Sequence, residues 1–303
     1  MSAPLSQQIQ NTRRGVFLMM SAMALYIVND SLVKLASRQL PVGQILVVRG
    51  IFASIMMFTI IMAGGHYNKL KSTFEKFIVI RAVAEALVAL CFITALSNLP
   101  IGDLTAIMQT TSILIVLVTA VSGMERVGLS LWVAVLIGFC GVLLMVKPGA
   151  SDFNIYTLIA LLTTVFVTTR DLMTRKINPT IPTAIVSFTT TFSVVIIGLL
   201  LGTSHWVSLE WMETLYLAGA AVFVTLGNLC AVKAQRIAPP ATLSPFRYSI
   251  LVWAFLSGIL IFGEWPDLLS LIGSGLIVAA GLLTLHGEHK KSRNNAKSAE
   301  NQS

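Results

Sequence analysis

The sequence predicts an all-α membrane protein with ten transmembrane helices, arranged as two inverted five-helix repeats. Composition is the first observation: 55% of the 303 residues are hydrophobic and only 11% are charged. A soluble domain carries about 25% charged residues, because water must solvate its surface. The mean hydropathy of +0.83 is typical of a chain whose outer solvent is lipid.

An internal duplication is the second observation. The stretch 95–126 recurs within 234–267 at an offset of 139 residues. Each copy runs from a proline-marked break through about twenty apolar residues to a glutamate, Glu125 in the first copy and Glu264 in the second. A second glycine-bearing apolar segment follows each copy, so the repeated unit contains two helices and their turn.

Ten apolar runs, numbered here as spans 1 to 10, each approach the roughly 20 residues that cross about 30 Å of hydrocarbon. They cover residues 16–36, 44–64, 77–97, 103–123, 129–147, 154–174, 182–202, 211–232, 241–262 and 268–285. The pair Arg13-Arg14 precedes span 1, which has no small-residue cleavage site, so we expect a retained helix rather than an export signal.

The front of each half also repeats, because three residues of span 1 recur 141 positions later around span 6. They are Asp30, Lys34 and Pro41, which correspond to Asp171, Arg175 and Pro182. Each half therefore has five spans, an odd number, so the second half enters the membrane from the opposite side. We expect one repeat over 1–147, a second over 148–286, and a disordered cytoplasmic tail over 287–303. Inverted repeats of this kind are typical of secondary carriers, although channels and structural proteins can also be duplicated.

Basic residues predict the orientation. With the N-terminus in the cytoplasm, fourteen lysines and arginines near span ends lie on the cytoplasmic side, against only Arg38 and Lys147 on the other. This positive-inside bias predicts a multi-pass protein of the cytoplasmic (inner) membrane with both termini in the cytoplasm. It also accounts for the net charge of +8 without nucleic-acid binding, which we do not expect.

The paired segments resemble the EamA-type modules of the drug/metabolite transporter superfamily. The similarity consists of a helix after a proline-containing turn, a glutamate in MER (124–126) or GEW (263–265), and a glycine-rich closing helix. It covers nearly the whole chain, and it implies a ten-helix transporter. The segments NDSLVK (29–34), ATLSPFRYS (241–249) and FGEWPD (262–267) are similar to the subgroup with S-adenosylmethionine and riboflavin importers. The resemblance implies neither a particular substrate nor a direction of transport.

Arg247 is the strongest candidate for substrate binding. Ionisable groups at the centre of a membrane helix cost roughly 2.5–3.5 kcal/mol each and by default indicate function. Arg247 lies beside Tyr248 and follows three prolines, which free backbone carbonyls that are tolerated only inside protein or along a wet cavity. Its guanidinium can hold a carboxylate or phosphate; the alternative is that it snorkels to the cytoplasmic surface.

Five further candidates lie in the first half. Arg49 lies in the outer part of span 2, and we expect it to be the counterpart of Arg247 on the outer side of the membrane. Asp30, beside Asn29, receives a coupling proton or counters an arginine. Arg81 and Glu85 are four residues apart on one helix face, so they either neutralise each other or serve the site.

The remaining polar and aromatic groups divide between site and structure. Trp253 either stacks on a planar ligand or packs in the membrane, and Glu125 and Glu264 are expected to cap helices at the interface. Three more ionisable groups lie close enough to span ends for snorkelling or turn capping to explain them, namely Lys34, Asp103 and Asp171. Because the first half has MQT at 108–110 where the second has RYS at 247–249, we expect an asymmetric site.

We expect no enzyme, cofactor or metal site. The four histidines are scattered, the three cysteines lie in apolar runs without metal-ligand spacing, and no phosphate-binding GxxxxGK[ST] motif occurs. An integral membrane enzyme and a channel are the alternatives, but neither clustered catalytic groups nor filter-like loops are visible. The expected partners are a small polar or zwitterionic metabolite, the lipid bilayer, and a coupling proton or exchange substrate, with the chain a monomer or homodimer.

Overall fold

The computed structural model describes residues 5–64, 73–121, 129–146, 154–174, 176–178, 180–237, 243 and 246–283, which form a helical bundle without strands in these ranges. The helices are α1 (Leu5–Ala36), α2 (Val42–Ala63), α3 (Lys76–Asn98), α4 (Ile101–Met108), α5 (Thr111–Val121), α6 (Leu129–Val146), α7 (Ile155–Thr174), α8 (Thr183–Leu200), α9 (Trp211–Ile237), α10 (Ser249–Ser257) and α11 (Leu268–Leu283). A π-helical turn, Gly258–Phe262, extends α10. Glu125 and the tail 287–303 lie outside the described residues.

The predicted spans all coincide with helices, which confirms the fold class. Within the described residues, five stretches are long and apolar enough to cross a membrane: Arg13–Ala36, Val42–Ala63, Lys76–Asn98, Ile155–Thr174 and Trp211–Ala231. Helix α1 begins at Leu5, well before the apolar run, because its polar first turns contain no helix breaker after Pro4. Span 4 is not one helix but two, α4 and α5, and span 9 is interrupted near its start.

Helix packing follows the duplication. Helix α1 packs on α9, and α3 packs on α7. These two contacts are equivalent, because α1 corresponds to α7 and α3 corresponds to α9 in the two repeats. Helix α2 packs on α8 and α4 on α10, and each of these pairs consists of equivalent helices from the two halves. The principal contacts therefore join one repeat to the other, and the core of the bundle is the interface between the repeats.

Burial separates an interior from a lipid-facing surface that is equally apolar. Leu96, Leu104 and Leu217 are completely buried in the shared core. Leu200 and Leu260 are each 79% exposed, on the outside of the bundle. An exposed surface rich in leucine, isoleucine and phenylalanine needs a hydrocarbon environment, because in water it would aggregate.

The closing helices α6 and α11 approach each other at glycine. A Cβ added to Gly141 would lie 2.7 Å from the carbonyl oxygen of Gly273, and one added to Gly273 would lie 2.8 Å from that of Gly141. Small residues permit such contact between membrane helices. Gly275 of α11 does not take part in this contact and faces open space.

Candidate functional site

A cavity of about 440 Å³ lies among α3, the α4–α5 junction, α7 and the residues just before α10. Its apolar lining consists of Val88, Phe92, Met108, Ile115 and Val167. Its polar lining consists of Gln109, Thr111, Ser112, Arg170, Asp171, Arg247 and Tyr248. Both repeats contribute, so the cavity belongs to the interface between them.

Two helix interruptions meet at this cavity, at equivalent positions of the repeats. Between α4 and α5 the amide of Ser112 donates to the carbonyl of Gln109 at 3.3 Å. At the start of α10 the amide of Leu251 donates to the carbonyl of Tyr248 at 3.1 Å, and both residues of this bond lie 139 positions after their counterparts. These bonds span three residues instead of four, so each interruption is a tightened turn. Gln109 and Tyr248 are thus the paired wall residues of the cavity.

Tyr248 is held between the two halves. Its hydroxyl is hydrogen-bonded to the side chain of Ser112 on α5. The ring rests against Gly281 of α11, where an added Cβ would overlap the phenol. The closing-helix glycine therefore provides the space for a cavity residue, which is a more specific role than general helix packing.

Arg170 joins the cavity to a charged network behind it. Its Nη1 donates to Oε2 of Glu85 at 3.0 Å, and its Nε donates to Oδ1 of Asp171 at 2.8 Å. The three side chains are 25–40% exposed, in keeping with a wet cavity wall. Arg81 extends the network, because its Nε donates to Oγ1 of Thr174 at 2.8 Å.

A second polar cluster lies in the interior of the bundle near α1 and α2. Nδ2 of Asn29 donates to Oδ1 of Asp30 at 2.8 Å. Arg49 interacts electrostatically with both Asp30 and Glu85, and so connects this cluster to the network around Arg170. The connected groups comprise three guanidiniums and three carboxylates, which makes the network formally neutral. They are Arg49, Arg81 and Arg170, with Asp30, Glu85 and Asp171.

A third polar contact lies at the end of the bundle opposite the cavity and joins the two repeats there. Nζ of Lys34 donates to Oε1 of Glu264 and to the carbonyl of Leu99, each at 2.5 Å, and lies 5.0 Å above the ring of Phe262. The second oxygen of Glu264 accepts the amide of Ile101 at 3.0 Å. We call these five residues the Lys34 clasp. Glu264 does cap a helix end, as the sequence suggested, but the helix is α4 of the other repeat.

The structure brings together only part of the predicted site. Arg247 and Tyr248 line the cavity, whereas Glu85 and Arg81 lie behind it through Arg170. Asn29, Asp30 and Arg49 form the separate interior cluster described above. Lys34 pairs with Glu264 through the clasp rather than snorkelling.

Trp253 lies apart from this cavity, because it is not among the lining residues and is 36% exposed. Five residues after Tyr248 is a rotation of about 140° around a helix, which turns the indole away from the cavity.

The sequence analysis did not propose five of the polar wall residues, namely Gln109, Thr111, Ser112, Arg170 and Asp171. Gln109 was visible only as the middle of the MQT triplet that replaces RYS. Arg170 stands beside Asp171 in span 6, and the repeat pattern gave no signal for it. Asp171 was explained by its position near a span end, although its spacing relative to Asp30 already indicated a repeated acidic position. Among the described residues, no group of three or more His, Cys, Asp or Glu side chains is placed to hold a metal.

Comparison with known families identifies this architecture. The model of the EamA-like transporter family matches residues 13–147 and 153–285, one match for each half. A crystal structure covering 91% of this chain and 98% of its own superposes with a TM-score of 0.61 at 16% sequence identity, and supports the fold alone.

Curated relatives are transporters of different substrates. A riboflavin transporter of Vibrio cholerae is 28% identical over 64% of this chain, and the match spans 65% of that relative's length. The pseudopaline exporter CntI of Pseudomonas aeruginosa is 24% identical over 88% of this chain and 94% of its own. An S-adenosylmethionine uptake transporter of Rickettsia bellii is 23% identical over 86% of this chain and 90% of its own.

Proposed function

From the premise that this chain belongs to the EamA-like transporter family, we propose that it is a secondary carrier that moves a small polar or zwitterionic metabolite by alternating access. Membrane transport is the common property of the family and of the relatives. The observation that carries the mechanism is the cavity at two equivalent helix interruptions between the repeats. Discontinuous helices at a repeat interface are where inverted-repeat carriers bind their substrates.

The ends of the bundle differ in a way that suits alternating access. Arg170 and Asp171 lie in the last turns of α7, and Arg247 precedes α10, so the cavity is near the end at which α1 begins. The Lys34 clasp joins the two repeats at the other end. With both termini in the cytoplasm, as the basic residues predict, this arrangement is an inward-facing state closed to the outside. Breaking the clasp and rocking the repeats would open the outer side.

We place the protein in the cytoplasmic (inner) membrane, with repeats over 1–147 and 148–286 and a cytoplasmic tail over 287–303. S-adenosylmethionine and riboflavin are the first candidate substrates, because relatives carry those names and the segments quoted above are similar to that subgroup. The alternative is a metabolite or drug exporter of the same fold, for which the pseudopaline exporter is the precedent. A membrane enzyme is less well supported, since the cavity has no nucleophile and base arranged as a pair.

Energy would come from a coupling proton or from an exchanged substrate, and the carrier would work as a monomer or homodimer without nucleic acid. Asp30 is our candidate for the proton, because its carboxylate lies inside the bundle between Asn29 and Arg49.

The test is flux through the purified chain in sealed proteoliposomes. Labelled S-adenosylmethionine, riboflavin, amino acids and nucleotides would be offered outside, and in a second series loaded inside, with and without a proton gradient. Saturable flux of one compound, competed by its unlabelled form, would establish the carrier. The orientation of inserted chains, read by protease protection of the tail, would assign import or export. Absence of saturable flux in both series would refute the proposal.

A further inference from the structure

We propose that the cavity recognises its substrate through a single carboxylate, held by the guanidinium of Arg247 and the hydroxyl of Thr111 at the start of α5. This inference rests on the proposed function and makes it more specific, because it favours S-adenosylmethionine over riboflavin, which has no carboxylate. Three independent features of the cavity wall support it: an excess positive charge, a buried hydroxyl without a partner, and a helix N-terminus.

Charge is the first feature. In the cavity wall the charges of Arg170 and Asp171 cancel, so Arg247 leaves the wall with one positive charge. No ion pair joins Arg247 to a carboxylate within the described part of the chain. Arg247 lines the cavity and is exposed. A wall with one unmatched guanidinium favours a ligand with one negative charge over a neutral ligand.

The hydroxyl of Thr111 is the second feature. Thr111 lines the cavity and is only 9% exposed, yet its Oγ1 has no hydrogen-bond partner among the described residues. Buried hydroxyls in native proteins are paired almost without exception, so an unpaired hydroxyl on a residue of the cavity wall is available to a ligand atom. Threonine hydroxyls donate readily to carboxylate oxygens.

The interruption of span 4 supplies the third feature. Because α5 begins at Thr111 after the turn at Gln109, an N-terminus of an 11-residue helix lies at the cavity wall. The partial positive charge at a helix N-terminus stabilises an anion. A carboxylate, with one charge, matches the single guanidinium; a phosphate monoester carries close to two charges at neutral pH and would leave one unmatched.

The test compares ligands that differ in one group. Binding to the full chain in nanodiscs would be measured for S-adenosylmethionine and its decarboxylated analogue, phenylalanine and phenylalaninamide, and riboflavin and its 5′-phosphate. We expect at least one acid to bind about ten- to a hundred-fold more tightly than its partner lacking the carboxylate, since a charge-assisted hydrogen bond has that effect. A phosphate that binds better than every carboxylate would overturn the choice of oxyanion.

Variants assign the effect to named side chains. Arg247→Gln should abolish the preference for the acid, and Arg247→Lys should retain part of it, because lysine keeps the charge but loses the planar fork. Thr111→Val keeps the side-chain shape and should weaken acid binding about tenfold without lowering the melting temperature, since the hydroxyl has no protein partner to lose. Lys233→Gln removes one positive charge from an exposed position on α9 and is the matched control.

The two proposals fail separately. If the wild type and Arg247→Gln carry riboflavin with equal saturable flux and neither discriminates acids, the carboxylate subsite is refuted and the carrier stands. If acids bind in an Arg247-dependent manner but no compound moves across proteoliposomes in either direction, transport by this chain is refuted and the subsite stands.

Discussion

The Lys34 clasp gives the most demanding prediction of stability. We consider three changes: Lys34→Met, Glu264→Gln, and the two combined. Lys34 and Glu264 come from different repeats, and their side chains are 10% and 23% exposed. The ammonium is therefore the more deeply buried charge, and the carboxylate retains the amide of Ile101 as a partner when the lysine is absent.

These exposures set the expected magnitudes. Removing one partner of a fully buried ion pair costs about 3–5 kcal/mol of unfolding free energy, whereas an exposed pair contributes about 0.2–1 kcal/mol. Glu264→Gln leaves a buried ammonium without a counter-charge, so we expect a loss of about 2–3 kcal/mol. Lys34→Met leaves the better solvated ion, so we expect about 1–2 kcal/mol. The double variant has no unpaired charge and should lose about 1–2 kcal/mol less than the sum of the single variants.

The assay is reversible unfolding by sodium dodecyl sulfate in mixed micelles, followed by circular dichroism. Arg38→Met is the control, because the Arg38 guanidinium is exposed and lies 5.4 Å above the same Phe262 ring without joining the ion pair. It should change the unfolding free energy by less than about 0.5 kcal/mol. Strict additivity of the two clasp substitutions would refute the coupling, and a larger loss for Lys34→Met than for Glu264→Gln would refute the argument from burial.

Three further substitutions test other parts of the structure. Arg170→Met should lower the unfolding free energy by about 3 kcal/mol and abolish flux, because its two carboxylate partners lose their shared cation. Unfolding in the same micelles measures the first effect and proteoliposome flux the second. Flux equal to that of the wild type would contradict the prediction. Gly263→Ala should cost about 1 kcal/mol, because this residue has a φ of 68°; an unchanged midpoint would contradict it. Gly141→Leu should push α6 away from the carbonyl of Gly273 on α11 and lower the thermal midpoint by several degrees. Differential scanning fluorimetry would detect this shift, and an unchanged midpoint would contradict the prediction.

The number and order of the membrane spans could be predicted from the sequence because the hydrocarbon thickness sets the length of every apolar run. The duplication could be predicted as well, since prolines, glycines and glutamates recur at nearly constant offsets. The interruption of span 4 could not, because one tightened turn changes neither apolar composition nor length. The only local signal was the polar MQT triplet, and its equivalence to RYS was read as asymmetry rather than as a paired break.

The sequence does not show which side chains point into the bundle and which point toward lipid. In a water-soluble helix the polar face identifies the outside, but lipid and core are both apolar, so Trp253 could not be assigned to either surface. For Asp171, the position near the end of span 6 suggested an interfacial role rather than a place in the cavity wall. A carboxylate near a helix end can reach the interface, but here Arg170 one residue earlier holds it at the cavity wall. The relevant partner was the adjacent residue, and distance along the span could not reveal it.

The ion pair between Arg170 and Glu85 has a consequence for biosynthesis, because its members are 85 residues apart in the chain. A ribosome that has delivered α3 to the bilayer has not yet made α7, so Arg81 and Glu85 enter the membrane before their lasting partner exists. Their four-residue spacing lets them neutralise each other in the interval, and the mean hydropathy of 2.2 over an 18-residue window of α3 offsets the cost of inserting both. The first repeat would thus enter the membrane with Arg81 and Glu85 paired to each other. Glu85 would form its ion pair with Arg170 only after α7 of the second repeat has been inserted.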